Sequence, residues 1–250
     1  MSAPAPAWRR VLAQSVFEAR TMLTNGEQVL VALVIPTVVL FTLIRVDAID
    51  LGTGAGPRVD GVAPGVIALA ILASSFTSRA ILTAFDRRAG VLRFLATTPL
   101  GPGGLLGGAV GAVLLVLAFQ ITVLASIACV GFGWRPHLAG LPVAVLAVAL
   151  AALAFTGLAL LLAGAVRAEA VLGLSNLLFL ALAAGGGILV APAAMPAPLA
   201  WLAQVLPSGA LGEALRASLG GGPFPVVPLV VLAAWSFALT FAMRRWFRWM

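Results

Sequence analysis

The fold is decided by residues 85–100, which read Phe85-Asp86-Arg87-Arg88-Ala89-Gly90-Val91-Leu92-Arg93-Phe94-Leu95-Ala96-Thr97-Thr98-Pro99-Leu100. They are the densest part of the longest strongly charged island of the sequence, and a long apolar run lies on either side. Charged side chains are rare and costly within a bilayer, so an island between two apolar runs is expected outside the lipid. The pattern predicts two membrane spans joined by a loop that another molecule can bind.

The composition is that of a polytopic helical membrane protein. Of 250 residues, 62% are hydrophobic and 9% are charged, whereas ordinary globular domains carry about 25% charged residues. A soluble protein of this composition could not cover its own core with polar side chains. All 15 cationic side chains are arginines. They stand at the ends of apolar runs instead of on one basic face, so nucleic acid binding is not favoured.

Apolar runs predict six transmembrane helices in one all-α domain over residues 1–250. The spans are placed at residues 28–44, 62–82, 105–131, 141–166, 170–191 and 226–243. Six spans put both ends of the chain on the same side. The inner segments then hold eleven of the arginines, Arg248 included, and the outer segments hold four. This asymmetry predicts that both termini are cytoplasmic.

Three further segments complete the predicted fold. Residues 8–25 alternate apolar and polar side chains with a helical period, which predicts an amphipathic helix in the cytoplasmic membrane interface. The island at 85–100 forms the cytoplasmic region between spans two and three. Residues 192–223 are interrupted by prolines and glycines, so they predict an outer hairpin of two short helices between spans five and six.

Small residues and one proline predict where spans meet. Gly103, Gly107 and Gly111 stand four apart at the start of the third span, a spacing that lets helix backbones approach closely in lipid. Pro36 lies in the middle of the first span and leaves a backbone carbonyl without its donor, which a neighbouring helix can compensate.

No catalytic or metal site is predicted. A phosphate-binding P-loop needs a lysine, and the sequence has none. A single His137 and a single Cys129 do not make a metal site. The carboxylates stand at span ends or in connections, where they are poorly placed to couple transport to protons. The energy for any transport is therefore expected from another chain.

Small polar side chains on two spans are the predicted translocation path: Ser74, Ser75 and Thr77 on the second span, and Ser175 and Asn176 on the fifth. The alternative is that the hydroxyl groups only bond their own helix backbone. A path of apolar and small polar groups suits an amphipathic or lipid-like solute better than an ion.

The sequence resembles the ABC-2 family of ABC transporter permeases over nearly its whole length. Asp86-Arg87-Arg88-Ala89-Gly90 and Leu95-Ala96-Thr97-Thr98-Pro99-Leu100 are similar to the acidic-Arg-x-x-Gly and Leu-x-x-x-Pro-Leu stretch that follows the family's second span. Pro196, Pro207 and Ala214-Leu215-Arg216 resemble the family's outer segment. Val91 and Arg93 stand where many members carry threonine and glutamate.

The resemblance implies a half-transporter. Two six-span chains, identical or paralogous, form the membrane pore, and two separate ATPase subunits bind ATP and Mg and hydrolyse the nucleotide. This chain itself then holds no cofactor. The island becomes the coupling region that docks on the ATPase, with Val91–Thr98 as a short helix. The residues assigned to coupling are Phe85, Asp86, Arg87, Arg88, Gly90, Arg93, Phe94 and Pro99, with Phe17 of the N-terminal helix.

Two alternatives to this interpretation of the coupling residues stay open. The arginines are explained equally well by membrane topology alone, although topology does not account for Phe85, Phe94, Gly90 and Pro99. Phe17 falls in the polar face of its helix and is either a tolerated exposed aromatic or a contact for a cytoplasmic partner.

The expected function is export of a hydrophobic drug, antibiotic or lipid-like solute across a bacterial plasma membrane. One alternative is export of a glycolipid or polysaccharide. Another is a non-transporting membrane scaffold or regulator that an ATPase works mechanically.

Overall fold

The computed structural model describes residues 5–46, 51 and 56–246, and this part of the chain is helical without a β-strand. The α-helices are α1 (Ala7–Thr24), α2 (Gly26–Arg45), α3 (Arg58–Leu72), α4 (Arg79–Arg88), α5 (Val91–Ala96), α6 (Gly101–Phe132), α7 (Leu141–Ala165), α8 (Ala168–Gly185), α9 (Ala197–Val205), α10 (Pro207–Leu219) and α11 (Val226–Trp246). The predicted all-α class is confirmed. Arg248, which the topology count includes, lies outside the described residues.

Five helices of the described chain are long and apolar enough to cross a membrane: Arg58–Arg88, Gly103–Phe132, Leu138–Ala165, Ala168–Gly185 and Val226–Trp246. A sixth candidate is the pair of α1 and Val29–Arg45, which meet at a bend of 70°. The prediction of a polytopic membrane protein is therefore confirmed. The first predicted span is the shortest of the six, near the lower limit of about 17 residues for crossing a bilayer.

The centre of the fold is one long helix made of α3, a π-helical turn at Ala73–Ser78, and α4. We call it the central helix. In its most apolar 18-residue stretch 89% of the residues are buried, against 11% in α8. It extends beyond the predicted span 62–82 at both ends. It begins at Arg58, and the residues from Phe85 to Arg88 continue the helix up to the turn at Gly90.

The N-terminal helix α1 packs against the glycine-rich start of α6. A Cβ atom added at Gly107 would lie 3.2 Å from a methyl carbon of Val11, and one at Gly108 would lie 2.6 Å from Cγ of Gln14. A Cβ at Gly111 would overlap Ser15. These close approaches confirm that the glycines allow tight helix packing. Gln14 and Ser15 therefore face α6, whereas Trp8 is exposed. Helix α1 thus packs on α6 with one face and exposes apolar side chains on another.

The outer hairpin explains why the fifth span is shorter than the predicted 170–191. Helix α8 ends at Gly185, and the chain turns at Gly187, whose φ is +68°. Arg216 on α10 stabilises this turn, because its guanidinium donates hydrogen bonds to the carbonyl oxygens of Gly187 and Ile188, both at 2.8 Å. Its Nη2 also lies 2.8 Å from a carboxylate oxygen of Glu213.

Candidate docking surface and membrane cavity

The short helix α5 is separated from the central helix by a left-handed residue. Gly90 has a φ of +80°, which only glycine adopts without strain, and its carbonyl accepts the first hydrogen bond of α5 from Phe94 N–H at 3.2 Å. The helix does not continue past Ala96. The hydroxyl groups of Thr97 and Thr98 donate hydrogen bonds to the carbonyl oxygens of Phe94 and Leu95 in the last turn of α5. The helix is shorter than the predicted 91–98, because it ends at Ala96, three residues before Pro99.

One face of α5 is anchored in the protein and another is open. Leu92 is 2% exposed and packs with Leu105, Leu106 and Met243. Phe94 is 70% exposed. A buried leucine therefore fixes the helix while a large aromatic side chain projects from it, which is the arrangement an interface helix needs.

Two exposed phenylalanines lie on adjoining surfaces of α1 and α5. Phe94 borders a groove between the helices, together with Arg10 and Ala13. Ala13 also borders the second, apolar groove along α1 that contains Phe17, which is 69% exposed. The Arg10 guanidinium donates to the carbonyl oxygen of Pro99 and so connects α1 to the end of the island. We call this combined surface the docking surface.

The arginines of the island differ in what they contact. Arg87 turns inward and donates to the carbonyl oxygens of Ala163, Gly164 and Val166 at the end of α7, at 2.9, 3.3 and 3.2 Å. Arg88 forms an exposed ion pair with Glu169 at 2.9 Å. Both side chains attach the central helix to the α7–α8 turn, so they position the island.

Asp86 lies on the opposite side of this arrangement, near a buried ion pair that the sequence did not reveal. Arg79 of α4 and Glu18 of α1 are bonded to each other, with side chains 5% and 13% exposed. Asp86 is half-buried and interacts electrostatically with both groups. This cluster joins α1 to the central helix. The sequence signal for it is a carboxylate, Glu18, within a helix that also carries a periodic set of apolar side chains.

A cavity of about 450 Å³ opens between α2, the π-helical turn, α6 and α8. Ser74, Thr77 and Asn176, all assigned to the path from the sequence, line it. The other lining side chains that the structure describes are apolar, such as Ile35 and Phe179, or polar and neutral, and none of these described side chains is ionisable. A pocket of this kind can hold an apolar molecule and bond a few of its polar groups.

Ser75 and Ser175 do not line this cavity. Both side chains are buried and donate to carbonyl groups of their own helices, Ser75 to Ile71 and Ser175 to Leu172. These two hydroxyl groups therefore follow the alternative interpretation, in which a hydroxyl only bonds the backbone of its own helix. Thr77 behaves differently, since its hydroxyl oxygen is buried and has no hydrogen-bond partner among the described residues.

Gln120 is the cavity residue that sequence reasoning missed. Its Nε2 donates to the Ala32 carbonyl at 2.6 Å, and its Oε1 accepts from the Ser74 hydroxyl at 2.8 Å. The Ala32 carbonyl lacks an intrahelical donor because Pro36, four residues on, has no N–H. Gln120 thus provides the compensation predicted for Pro36 and connects three helices. The available signal was a lone amide side chain inside a long apolar run.

Comparison with known proteins identifies the family of the chain. A search of curated proteins gives no match to the sequence. The family described as ABC-2 type transporter matches residues 8–219, which include α1, the island, the cavity and the outer hairpin. The chain belongs to the ABC-2 type transporter family. The resemblance carried by the island and the outer segment is confirmed.

Membership of this family indicates which subunit of a transporter the chain is. An ABC-2 chain is a permease subunit of an ABC transporter and lacks the nucleotide-binding cassette, so its partner is an ABC ATPase. Within the described residues of this ABC-2 permease, no group of three or more His, Cys, Asp or Glu side chains can hold a metal ion.

Proposed function

We propose that this ABC-2 permease exports a hydrophobic or amphipathic solute, such as a drug, an antibiotic or a lipid-like molecule. The observation that carries the proposal is the cavity between α2, the π-helical turn, α6 and α8. Its lining combines apolar groups with the neutral polar groups of Ser74, Thr77, Gln120 and Asn176. Such a lining stabilises an apolar solute that has a few polar atoms and does not compensate the desolvation of an ion.

The π-helical turn at Ala73–Ser78 supports a functional role for this cavity. A π-helical turn widens the helix and leaves backbone groups less regularly paired, and such turns are frequent at functional sites. Here it coincides with Ser74 and Thr77, and the Thr77 hydroxyl is buried and unpaired among the described residues. The oxygen itself is enclosed, so a ligand in the cavity bonds it only after the Thr77 side chain rotates toward the cavity.

The proposed assembly contains two permease chains, identical or paralogous, and two ATPase subunits, in a bacterial plasma membrane. Both termini of the permease are cytoplasmic in this proposal, because the inner segments carry most of the arginines. The ATPase docks on the docking surface, where Phe17 and Phe94 are the anchors. Lipid contacts the exposed apolar faces, such as that of α8.

Reconstitution tests the export proposal. The permease and its ATPase are placed in proteoliposomes, and ATP-dependent movement of candidate solutes is measured beside ATPase stimulation. Thr77→Val and Asn176→Leu should change the apparent KM for the solute, since both residues line the cavity. Ser75→Ala and Ser175→Ala are matched controls on the same helices outside it. Movement of a glycolipid or polysaccharide alone would favour the alternative of glycolipid or polysaccharide export. ATPase stimulation without any solute movement would favour a non-transporting scaffold or regulator.

A second experiment tests the docking surface. Phe17→Ala with Phe94→Ala should insert normally and lose co-purification of the ATPase, because both exposed rings are removed from the interface. Phe237→Ala with Phe224→Ala is the control, since these rings are 76% and 65% exposed but lie on and before α11. Retained co-purification in the Phe17 and Phe94 variant would place the ATPase elsewhere.

A further inference from the structure

A concave basic pocket lies between the central helix, α5 and the α7–α8 turn. It has a volume of about 350 Å³, within the range of small-molecule sites. Four of its lining side chains are arginines, namely Arg87, Arg88, Arg93 and Arg167, and one is the carboxylate Glu169. The pocket thus gathers four positive charges against one negative charge, which is an excess of three. We call it the basic pocket.

The arginines of the basic pocket are not equally engaged with the protein. Arg87 is held by the carbonyls that end α7, and Arg88 by Glu169. Arg93 and Arg167 are exposed at the rim of the pocket. The first pair therefore builds the walls, and the second pair offers guanidinium groups to a ligand. A guanidinium presents parallel N–H donors that match the oxygens of a phosphate group.

The start of α8 adds backbone donors to the same place. Ala168 and Glu169 line the pocket and are the first two residues of this 18-residue helix. The N–H groups of a first helical turn have no intrahelical acceptor and carry a partial positive charge. They add to the attraction that the arginines provide for an anion, and they favour a group with several oxygens.

The position of the basic pocket favours a lipid source for this anion. Helix α7 ends at Ala165 and α8 begins at Ala168, and both are candidate membrane spans. The turn between them therefore lies where the chain leaves and re-enters the bilayer, at the level of lipid headgroups. One turn further along α8 stands Leu172, which is 38% exposed. An acyl chain can follow this apolar face while the phosphate occupies the pocket.

We propose that the basic pocket binds the phosphate group of an anionic amphiphile. The proposal does not depend on which solute the permease exports. A lipid bound here can stabilise the α7–α8 turn whether or not it is also the transported solute. An acidic surface of the ATPase is the competing ligand. The apolar face of α8 favours the amphiphile, and Phe94, the exposed anchor on α5, borders the docking surface and does not line the basic pocket.

Lipid binding to the full permease tests the proposal. The purified chain is titrated with phosphatidic acid in a zwitterionic detergent, and retained lipid is measured by native mass spectrometry. Arg93→Gln with Arg167→Gln should weaken phosphatidic acid binding by about fivefold per arginine and about 25-fold together. The control is Arg20→Gln with Arg135→Gln, two exposed arginines outside the pocket whose replacement removes the same charge. Unfolding temperature verifies that both variants fold.

The outcomes separate the possible ligands. Selective loss of phosphatidic acid in the Arg93 and Arg167 variant supports the proposal, and competition by glycerol 3-phosphate or inorganic phosphate at similar concentration identifies a free phosphate as the source. Equal loss in the control variant, or equal binding of phosphatidylcholine, overturns it. Unchanged lipid binding with lost ATPase co-purification also overturns it and assigns the pocket to the ATPase. Failure of solute export in proteoliposomes leaves the lipid measurement unaffected, so the two proposals fail separately.

Discussion

At the scale of single residues, Gln120 satisfies a carbonyl that a proline leaves without a donor. A buried polar group in a bilayer has no water to bond, so the Ala32 carbonyl requires a partner from another helix. Gln120 reaches it from α6 and accepts a bond from Ser74 in return. Pro36, Gln120 and Ser74 therefore form one unit beside the cavity.

A double-mutant cycle measures this unit. Gln120→Leu should lower the free energy of unfolding by about 1–2 kcal/mol, because it leaves the carbonyl and the Ser74 hydroxyl unpaired. In the Pro36→Ala background the restored N–H can bond Ala32 itself, so the same replacement should cost less than half as much. Thermal unfolding followed by tryptophan fluorescence gives both values. Thr122→Val is the control, since the Thr122 hydroxyl bonds only its own helix at 2.7 Å. Equal effects in both backgrounds would show that Gln120 does not serve the proline.

Gly90 is the second residue whose identity matters, because it holds the turn between the central helix and α5. Gly90→Ala should lower the free energy of unfolding by about 1–2 kcal/mol, since L-residues with a side chain are strained at a φ of +80°. Apart from the two chain neighbours, no described atom lies within 4 Å of an added Cβ, so the effect isolates backbone strain from crowding. Chemical denaturation in detergent measures it.

Two comparisons accompany the Gly90 measurement. Gly90→Asn should be milder than Gly90→Ala, because asparagine tolerates the left-handed region better. Gly173→Ala, also in open space but within helix α8, should instead raise stability by up to about 1 kcal/mol. A Gly90→Ala variant as stable as the parent chain would mean that the turn is not held at this φ.

At the scale of elements, the buried pair of Glu18 and Arg79 fastens α1 to the central helix. Removing Glu18 leaves the buried Arg79 charge compensated only in part, by Asp86, whereas an exposed pair contributes little. The chain offers both cases, since Arg88 and Glu169 are 66% and 69% exposed. Glu18→Gln should therefore destabilise the fold by about 3 kcal/mol and Glu169→Gln by no more than about 1 kcal/mol.

The consequence for α1 is measurable by protease accessibility as well as by unfolding. Glu18→Gln should accelerate trypsin cleavage at Arg20 of the folded protein, because α1 loses its attachment to α4. Glu169→Gln should leave that rate unchanged. Equal cleavage rates in the two variants would indicate that the packing of α1 on the α6 glycines, and not the ion pair, holds the helix.

The same elements show what sequence patterns can and cannot predict. The described helices overlap the apolar runs, because a bilayer requires long helices whatever their neighbours, but the central helix extends beyond 62–82 and α8 ends at Gly185, short of residue 191. Glycine spacing predicted close packing but not the partner, which is α1. An amphipathic interfacial helix is expected to turn its polar face to solvent, yet Gln14 and Glu18 of α1 turn inward, because burial there depends on the long-range partner Arg79. Pairings of distant residues have no periodic signal in one sequence.

At the scale of the whole molecule, the path assignment illustrates the same limit. Five hydroxyl or amide side chains were chosen by residue type and span, and the fold brings Ser74, Thr77 and Asn176 to one cavity. Whether a side chain reaches a cavity depends on its rotation about the helix axis, which the π-helical turn changes for the residues around it. Composition selects the candidates, and only packing selects among them.

Orientation in the membrane is the whole-molecule property that the arginine distribution predicts, and labelling from outside the cell measures it. In a Cys129→Ala background, Ala89→Cys and Ala139→Cys place single thiols at exposed positions, next to Gly90 and in the short α6–α7 connection. With both termini cytoplasmic, a membrane-impermeant maleimide applied to intact cells should label the Ala139→Cys thiol and spare the Ala89→Cys thiol. After the membrane is permeabilised, both should react, which controls for accessibility. Labelling of Ala89→Cys in intact cells would invert the topology, and it would put the docking surface on the side of the membrane that has no ATP.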